Sequence, residues 1–386
     1  MASEPNARAL ARVAAVRPLW TAVRSAREAL GLEGRVLVHA GPETLDAVSL
    51  PPPMRNAALL SCIHEGWASS PADAEALLPS IKCEPSFKHS VATPLVAMVS
   101  PSTTVAEVAS GSHRYFAFLG TGGGPQQRFG SRDPAILERL AFREKTLKAG
   151  FAELLDQPVD LLALARAAIR EGDDLHNRLS SATTLLHALL STRKADTPAA
   201  KAALQTIVDA PLYFLNVWMP ACQLMLRAAE GEKGSTLVTR VCANGRKVGI
   251  QIAGRPGQWF TADATPVQGP FMKGAPENPV HPPATGDSGV IDAFGLGGQA
   301  LRHAPSLIAA FEPWLNKDDD ARARAILIGE HPILETSFGI DAAAVVRTGR
   351  TPLLSTGMVS ADGRGLLGRG ICAVPVTPFA AAVAGL

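Results

Sequence analysis

The chain has 386 residues, of which 47% are hydrophobic and 19% are charged. Its 37 Lys and Arg residues nearly balance 35 Asp and Glu residues, so the net charge of +2 provides no extended positive surface for a nucleic-acid backbone. A chain this apolar can bury enough surface to fold compactly, and its length favours two or more lobes. The composition therefore excludes a mainly disordered protein and a nucleic-acid-binding protein.

Neither the N-terminal sequence nor the cysteines indicate secretion. Residues 1–19 lack the apolar block of a signal peptide, and no run of about 18 uncharged apolar residues predicts a membrane span. The five cysteines are widely spread and form no C-x-x-C pair; they are Cys62, Cys83, Cys222, Cys242 and Cys372. We predict a cytoplasmic protein with neither a disulfide framework nor a membrane partner.

The N-terminal part alternates helical and strand patterns. Apolar residues recur at helical spacing over residues 7–30, which predicts an amphipathic helix or a pair of helices. Residues 35–39 then predict a short buried strand, with His39 at its end, immediately before a turn that contains Gly41 and Pro42. Because α/β proteins bind ligands at strand ends, His39 is a candidate substrate-binding residue.

A second polar pair follows the short apolar run at residues 57–62. His64 and Glu65 begin like the zinc motif H-E-x-x-H, but Ala68 stands where the second histidine would be. The sequence therefore predicts no metal site. Placed at the end of a buried strand, Glu65 is a candidate substrate-binding residue, and the alternative is a capping carboxylate beside a packed Trp67.

The pattern of apolar residues changes twice after this point. Helical patterns dominate from residue 134 to residue 229, and short alternating runs begin at residue 234, where Asn244 and Gly245 signal a hairpin. We predict a mixed α/β fold with at least two lobes. Its parts are an α/β segment at residues 1–132, a mainly helical domain at 133–232, and an α/β segment at 233–386 with the β-hairpin and a glycine-rich helix start.

The polar block at residues 171–178 interrupts two apolar helical segments. On a helix that begins near Asp173, this carboxylate and His176 share one face, and Asp174 shares a face with Arg178. A carboxylate that orients an imidazole is a general-base arrangement. The alternative is a helix cap, in which Asp173 or Asp174 accepts amide hydrogens and Arg178 pairs with it.

A second polar group lies at the predicted start of a helix. Gly286, Asp287 and Ser288 resemble the G-D-S-G of one serine-protease fold, but a Gly/Pro loop that leads into an Ala/Leu/Gly helix is the wrong context. Helix amides with Asp287 and Ser288 instead suit a carboxylate or carbamoyl group. The glycines after Phe294, including Gly297, would weaken a helix, so we predict close backbone approach there.

These blocks together resemble a conserved bacterial family of unknown function whose members include the large subunit of oxamate carbamoyltransferase, an enzyme of allantoin catabolism. The similar blocks are residues 17–20, 38–42, 65–68, 128–130, 172–178, 244–245, 259–262, 269, 278–279, 286–288, 294–298, 339–341 and 351–357. The sequence departs from the carbamoyltransferase subunit at residues 93–105 and after Asn278. Both departures lie in predicted pocket loops and leave open another amide or ureido substrate.

The resemblance implies carbamoyl transfer to a small amide or ureide, from carbamoyl phosphate, without a metal or organic cofactor. Such a reaction has an anionic tetrahedral transition state, which calls for cations, amides and a base. We predict His176, oriented by Asp173, as the acid/base and Arg178 as the anion clamp. The remaining candidates are substrate-binding residues, namely His39, Glu65, Asn244, Gly286, Asp287, Ser288 and Gly297.

Two other functions remain open from the sequence. An amidohydrolase would use the same fold to transfer the acyl or carbamoyl group to water. A non-catalytic subunit would act only within a complex, because the resembled enzyme needs other subunits. The charge clusters do not separate these alternatives, and we expect a homo-oligomer or a hetero-oligomer in each case.

Overall fold

The computed structural model describes residues 2–194, 196–384 and 386. Its α-helices are α1 (Glu4–Ala15), α2 (Ala26–Leu30), α3 (Pro52–His64), α4 (Pro71–Leu77), α5 (Ala135–Phe142), α6 (Lys148–Leu154), α7 (Leu161–Arg170), α8 (Ser180–Ser191), α9 (Pro198–Val208), α10 (Leu215–Arg227), α11 (Gly289–Phe294), α12 (Pro305–Phe311), α13 (Asp319–Ile326), α14 (Ala342–Thr348) and α15 (Thr377–Val383).

The strands are β1 (Leu19–Ser25), β2 (Val36–His39), β3 (Lys82–Pro85), β4 (Val91–Ala92), β5 (Thr104–Ser110), β6 (His113–Phe118), β7 (Val159–Asp160), β8 (Val238–Asn244), β9 (Lys247–Ile252), β10 (Phe260–Asp263), β11 (Thr285–Gly286), β12 (Leu327–His331), β13 (Thr336–Ile340), β14 (Leu353–Val359) and β15 (Leu366–Ala373). The mixed α/β class is confirmed, with helices α5–α10 in the middle and a β-rich segment that begins with the predicted β8–β9 hairpin.

The strands form two larger sheets and three pairs. A five-stranded sheet has the order β4-β6-β5-β1-β7, in which only β4 and β6 run parallel. A four-stranded antiparallel sheet has the order β10-β9-β8-β11, so the short strand β11 lies against the end of β8. Hairpins β12–β13 and β14–β15 and the parallel pair β2–β3 complete the set.

Helix α10 lies at the centre of the molecule. Every residue from 215 to 226 is buried, because this helix packs against β5 and β6 on one side and against β8 and α11 on the other. The largest hydrophobic cluster includes Trp20, Phe151 and Phe294, one from each predicted segment. One core therefore crosses both predicted domain boundaries, at 132/133 and at 232/233. The division of the chain into three parts stays a prediction.

Two predicted elements differ from the structure. The helical pattern at residues 7–30 is broken, because residues 19–25 form strand β1 between β5 and β7, where Trp20 is buried. The run at residues 57–62 is not a strand but part of α3, which begins at two prolines suited to a helix start. Both errors arise where tertiary packing decides between short apolar patterns of similar appearance.

None of the helices in the described part of the chain is long and apolar enough to cross a lipid bilayer. The five cysteines are buried free thiols.

Candidate functional site

The predicted polar block lies in the loop between α7 and α8. The helix expected to begin near Asp173 instead begins at Ser180, and the loop turns at Gly172 and Leu175, whose φ angles are +92° and +63°. The Asp174 carboxylate holds this loop by accepting hydrogen bonds from the backbone N–H of His176 at 3.1 Å and of Arg178 at 2.7 Å. Side-chain acceptors here replace the helical hydrogen bonds that the spacing suggested.

Asp173 accepts amide hydrogens at the start of α8, as in the alternative that the sequence left open, although Leu179 is the N-cap residue. Oδ2 of Asp173 accepts a hydrogen bond from the N–H of Ala182 at 2.8 Å, and its Oδ1 lies 2.9 Å from Nη1 of Arg178. Burial raises the pKa of Asp173 to about 6, against the opposing effect of these donors. Arg178 also donates to the carbonyl of Glu171, so both predicted catalytic groups are engaged in local structure.

His176 faces a different carboxylate. Its Nδ1 lies 2.8 Å from Oδ2 of Asp292 on α11, an ion-pair contact without the alignment of a hydrogen bond. Burial lowers the pKa of His176, but the charges of Asp292 and Asp174 outweigh it, so the pKa lies above its ordinary value. Because Nδ1 faces Asp292, Nε2 is the ring nitrogen left for a ligand.

Asp292 is itself fixed by backbone donors. Its carboxylate accepts hydrogen bonds from the N–H of Gly298 at 2.8 Å and of Ser355 at 3.2 Å, and it is fully buried. These donors hold the carboxylate in one orientation. A carboxylate that positions an imidazole is therefore present, but it comes from α11 and not from the loop of His176.

Gly297 makes this pair possible. Its φ is +54°, and a Cβ atom there would lie 2.5 Å from Oδ1 of Asp292 and 2.8 Å from Cβ of His176. Its N–H donates to the carbonyl of Asp174 at 2.9 Å, which joins the two loops. The predicted close approach is confirmed, although the glycines follow the end of α11 at Phe294 and are not within a helix.

A small pocket of about 60 Å³ opens beside His176. Its walls come from seven separate parts of the chain and combine apolar side chains with two arginines, a histidine, an amide and two hydroxyls. They are Pro94, Leu95, Arg128, Phe129, His176, Asn177, Leu212, Leu215, Ser288, Thr356, Gly357, Leu366 and Arg369. Since a water molecule needs roughly 10–15 Å³ on this measure, the pocket suits a ligand with a handful of non-hydrogen atoms.

The two arginines of the pocket are not among the predicted site residues. Arg128 is 8% exposed, and its guanidinium lies 4.8 Å from the centroid of the Phe129 ring. Its Nε has no hydrogen-bond partner among the described residues. Burial lowers the pKa of Arg128 to about 10. Arg369 on β15 is an exposed residue. Its Nη1 donates to the carbonyl of Asn177 at 2.7 Å, and partial desolvation of the guanidinium lowers its pKa.

A signal for Arg128 was present in the sequence, because residues 128–130 are one of the blocks on which the family resemblance rests. Arg369 carries no such signal, since it lies within an ordinary alternating strand. Asn177 is held by Oδ2 of Asp174 at 3.1 Å and by Oγ of Ser355 at 2.6 Å, so this wall of the pocket is rigid.

Ser288 is the predicted substrate-binding residue whose side chain reaches the pocket wall. Gly286 contributes through its backbone: its φ is +105°, and a Cβ atom would lie 2.6 Å from the N atom of Leu95. The glycine thus lets the loop with Leu95 close against the turn that carries Ser288.

Asp287 and Asn244 brace the structure next to the pocket. Asp287 accepts hydrogen bonds from the N–H of Gly41 at 3.0 Å and of Thr93 at 2.8 Å. Asn244 accepts from the N–H of Lys247 at 2.8 Å and closes the hairpin, while a Cβ atom on Gly41 would lie 2.5 Å from its own Cβ. Neither side chain lines the pocket of His176.

His39 and Glu65 are also engaged elsewhere. Nδ1 of His39 lies 2.8 Å from the carbonyl of Ala40, and Nε2 accepts from the N–H of Leu45 at 3.2 Å, which assigns a neutral ring. Burial lowers the pKa of His39, in agreement with that assignment. Glu65 accepts from the N–H of Ser102 at 2.7 Å and from its hydroxyl at 2.6 Å, as a loop cap.

Within the described residues, no three His, Cys, Asp or Glu side chains lie close enough together to hold a metal ion.

Comparison with protein families places these residues in context. Residues 81–288 match the model of the family described as "Oxamate carbamoyltransferase subunit AllG", and they make up more than half of the chain. The chain belongs to this family. The segment that matches the AllG family contains Arg128, His176 and Ser288, whereas Asp292 and Arg369 follow it.

Two relatives from Escherichia coli (strain K12) extend the similarity along the whole chain. Oxamate carbamoyltransferase subunit AllG is 27% identical over 409 aligned positions, which cover 100% of this chain and 97% of the relative. The uncharacterized protein YahG is 26% identical over 403 positions, which cover 98% of this chain and 85% of YahG.

A solved structure shares the fold. The crystal structure of a conserved protein of unknown function from Enterococcus faecalis V583 superposes with a TM-score of 0.90 at 25% identity. The match covers 99% of this chain and 96% of that chain, so the two proteins share this architecture almost end to end.

Proposed function

We propose that this chain is a subunit of a carbamoyltransferase and that the pocket beside His176 binds its small amide or ureido substrate, of the oxamate type. Family membership supports the reaction class, because the relative in Escherichia coli is described as a subunit of oxamate carbamoyltransferase. The observation that carries the proposal is the His176–Asp292 pair at the wall of a pocket with two arginines.

The chemistry required for carbamoyl transfer matches these groups. The amide nitrogen of the acceptor attacks the carbonyl carbon of carbamoyl phosphate, a C–N bond forms, the C–O bond to phosphate breaks, and the nitrogen loses a proton. Nε2 of His176 is placed to accept that proton, while Asp292 stabilises the imidazolium that results. The raised pKa of His176 makes its neutral ring a stronger base than an ordinary histidine.

The pocket's cations favour the negative charge that develops in such a reaction. Arg128 and Arg369 line the same small space as His176. Arg128 is buried and Arg369 is exposed, and a buried cation stabilises an oxyanion more strongly than an exposed one. The reaction needs no metal or organic cofactor. A cytoplasmic location and a complex with other subunits belong to the same proposal, the latter because the relative's description calls it a subunit.

The first experiment incubates the full chain with carbamoyl phosphate and oxamate and detects oxalurate by mass spectrometry. It is run with the chain alone and with the other subunits of the enzyme added. We expect oxalurate in at least one arm and a loss of about 100-fold or more with His176→Gln. Oxalate and ammonia formed from oxamate, in place of oxalurate, would favour the amidohydrolase.

The same assay separates a catalytic from a non-catalytic subunit. If the reconstituted complex keeps its activity when this chain carries His176→Gln, the reaction takes place elsewhere in the complex. A His331→Gln variant is the matched control, because His331 is equally buried but lies outside the pocket, between the rings of Phe294 and Phe338.

A further inference from the structure

The pocket beside His176 carries uncompensated positive charge. Arg128 is buried at 8% exposure, its Nε lacks a hydrogen-bond partner, and in the described part of the chain it forms no ion pair. The nearby hydroxyl of Tyr213 is also buried without a hydrogen-bond partner. A buried cation that is left unpaired costs stability, so its presence at a cavity wall points to an anionic ligand.

The other charged groups around the pocket do not compensate Arg128. Asp174 is saturated by donors from its own loop and by Asn177, and Asp292 is paired with His176 and held by backbone N–H groups. Arg369 uses one N–H on the carbonyl of Asn177 and adds a second positive charge to the same wall. The pocket is therefore set for an anion.

A guanidinium binds the two oxygens of a carboxylate through paired N–H donors, which gives both affinity and orientation. We propose that Arg128, with Arg369 beside it, binds the carboxylate of the amide substrate and that this contact selects anionic amides over neutral ones. The inference rests on the proposed function for the amide part of the ligand. It assigns a specificity-determining role to a residue that the sequence pattern left outside the site.

The proposal also assigns an orientation to the ligand. With its carboxylate on Arg128, a short amide of the oxamate type directs its nitrogen across the pocket toward His176 and Ser288, which line the same space. The phosphate of carbamoyl phosphate shares the oxyanion chemistry of a carboxylate. The experiment therefore separates these two ligands.

The test is a calorimetric titration of the full chain with oxamate, with the neutral diamide oxamide and with inorganic phosphate. We expect oxamate to bind at least about 10-fold more tightly than oxamide, as a charge-assisted contact predicts. Equal affinities of the wild-type chain for oxamate and oxamide would by themselves overturn the inference. Phosphate that binds more tightly than oxamate with the same dependence on Arg128 would overturn the carboxylate assignment.

The matched variants are Arg128→Gln and Arg240→Gln. Arg240 is also 8% exposed, but it is engaged by Tyr115 at 3.0 Å and by Glu230 at 3.6 Å and lies outside this pocket. We expect Arg128→Gln to bring the oxamate-to-oxamide ratio to within about 2-fold of unity and Arg240→Gln to keep it. A ratio that survives Arg128→Gln would overturn the inference.

The two proposals fail separately. If wild type prefers oxamate to oxamide as expected but shows no transfer activity in any reconstituted assay, the proposed function is wrong and the carboxylate site is still supported. If the chain supports transfer activity but binds oxamate and oxamide equally, the proposed function is supported and the carboxylate site is wrong. The folded state of Arg128→Gln is checked by thermal unfolding. We expect its melting temperature to equal or exceed that of wild type, because the substitution removes an unpaired buried charge.

Discussion

Two buried histidines, His176 and His331, have opposite electrostatic surroundings. Asp292 and Asp174 raise the pKa of His176 above its ordinary value of 6.5 despite its burial. Burial lowers the pKa of His331 to about 4, and its Nδ1 accepts hydrogen bonds from the N–H groups of Ile333 and Leu334. The pKa of His176 is therefore raised on folding, whereas that of His331 is lowered.

This contrast predicts opposite pH dependences for His176→Gln and His331→Gln. A pKa raised on folding gives stability that is complete below 6.5 and is lost as the pH rises through the folded-state value. Wild type should therefore exceed His176→Gln in free energy of unfolding by on the order of 3 kcal/mol at pH 6, and by less at pH 8.5.

For His331 the sign is reversed. A lowered pKa gives stability that is present above 6.5 and is lost as the pH falls toward about 4. The stabilising effect of His331 relative to Gln should be larger at pH 7.5 than at pH 4.5. Urea unfolding curves at these pH values measure both effects, and the same direction of change for the two variants would contradict the assignment.

Gly297 gives a second prediction at the scale of single residues. Alanine there meets Asp292 and His176, whereas alanine at Gly349, which has φ +66°, meets no atom within 4 Å. Gly349→Ala should cost about 1 kcal/mol of stability from its backbone conformation alone. Gly297→Ala should cost about 1–3 kcal/mol more and should reduce transfer activity, because it displaces the His176–Asp292 pair. Equal thermal stability and equal activity of the two variants would contradict this account.

At the scale of elements, the loop between α7 and α8 shows where sequence spacing fails. The spacing of Asp173 and His176 brings their side chains together only if residues 173–178 are helical. Gly172 at a positive φ and the two aspartates, which accept backbone N–H groups, instead favour a capped loop. The capping alternative was visible in the sequence, but the partner of His176 was not, since Asp292 is more than 100 residues away.

This arrangement predicts a division of roles between two carboxylates. Asp173→Ala removes the cap of α8 and should lower the free energy of unfolding by about 1 kcal/mol, while activity per folded molecule stays near that of wild type. Asp292→Asn should lower activity by about 100-fold or more, because it removes the charge that positions and stabilises the His176 imidazolium.

The assay for both variants is the oxalurate measurement described above, normalised to the folded fraction from circular dichroism. Full activity of Asp292→Asn together with loss of activity in Asp173→Ala would contradict this division. It would instead support Asp173 as the carboxylate that orients His176, as the sequence spacing suggested.

At the scale of the whole molecule, the pocket depends on residues that are distant in sequence. Arg128, His176, Ser288 and Arg369 meet because α10, α11 and the β14–β15 hairpin pack around a single core. The sequence predicts the α/β class, the helical middle and the β8–β9 hairpin, since each leaves a local pattern. Long-range contacts leave none, which is why Arg369 and Asp292 were missed, whereas Arg128 lies in one of the blocks that carry the family resemblance.

The shared core also predicts how the chain unfolds. One hydrophobic cluster crosses the predicted boundaries at 132/133 and 232/233 and includes the contact of Trp20 with Phe151 at 5.3 Å between ring centroids. We expect unfolding curves in urea followed by tryptophan fluorescence and by far-ultraviolet circular dichroism to coincide. Separate transitions, or a stable folded fragment cut at either boundary by limited proteolysis, would show independent domains instead.

The most direct test of the central claim is a crystal structure of the full chain with oxamate. The account predicts oxamate in the pocket beside His176, with its carboxylate on Arg128 and its amide nitrogen within hydrogen-bond distance of Nε2 of His176. Oxamate bound with full occupancy at another site, while this pocket holds only water, would contradict it.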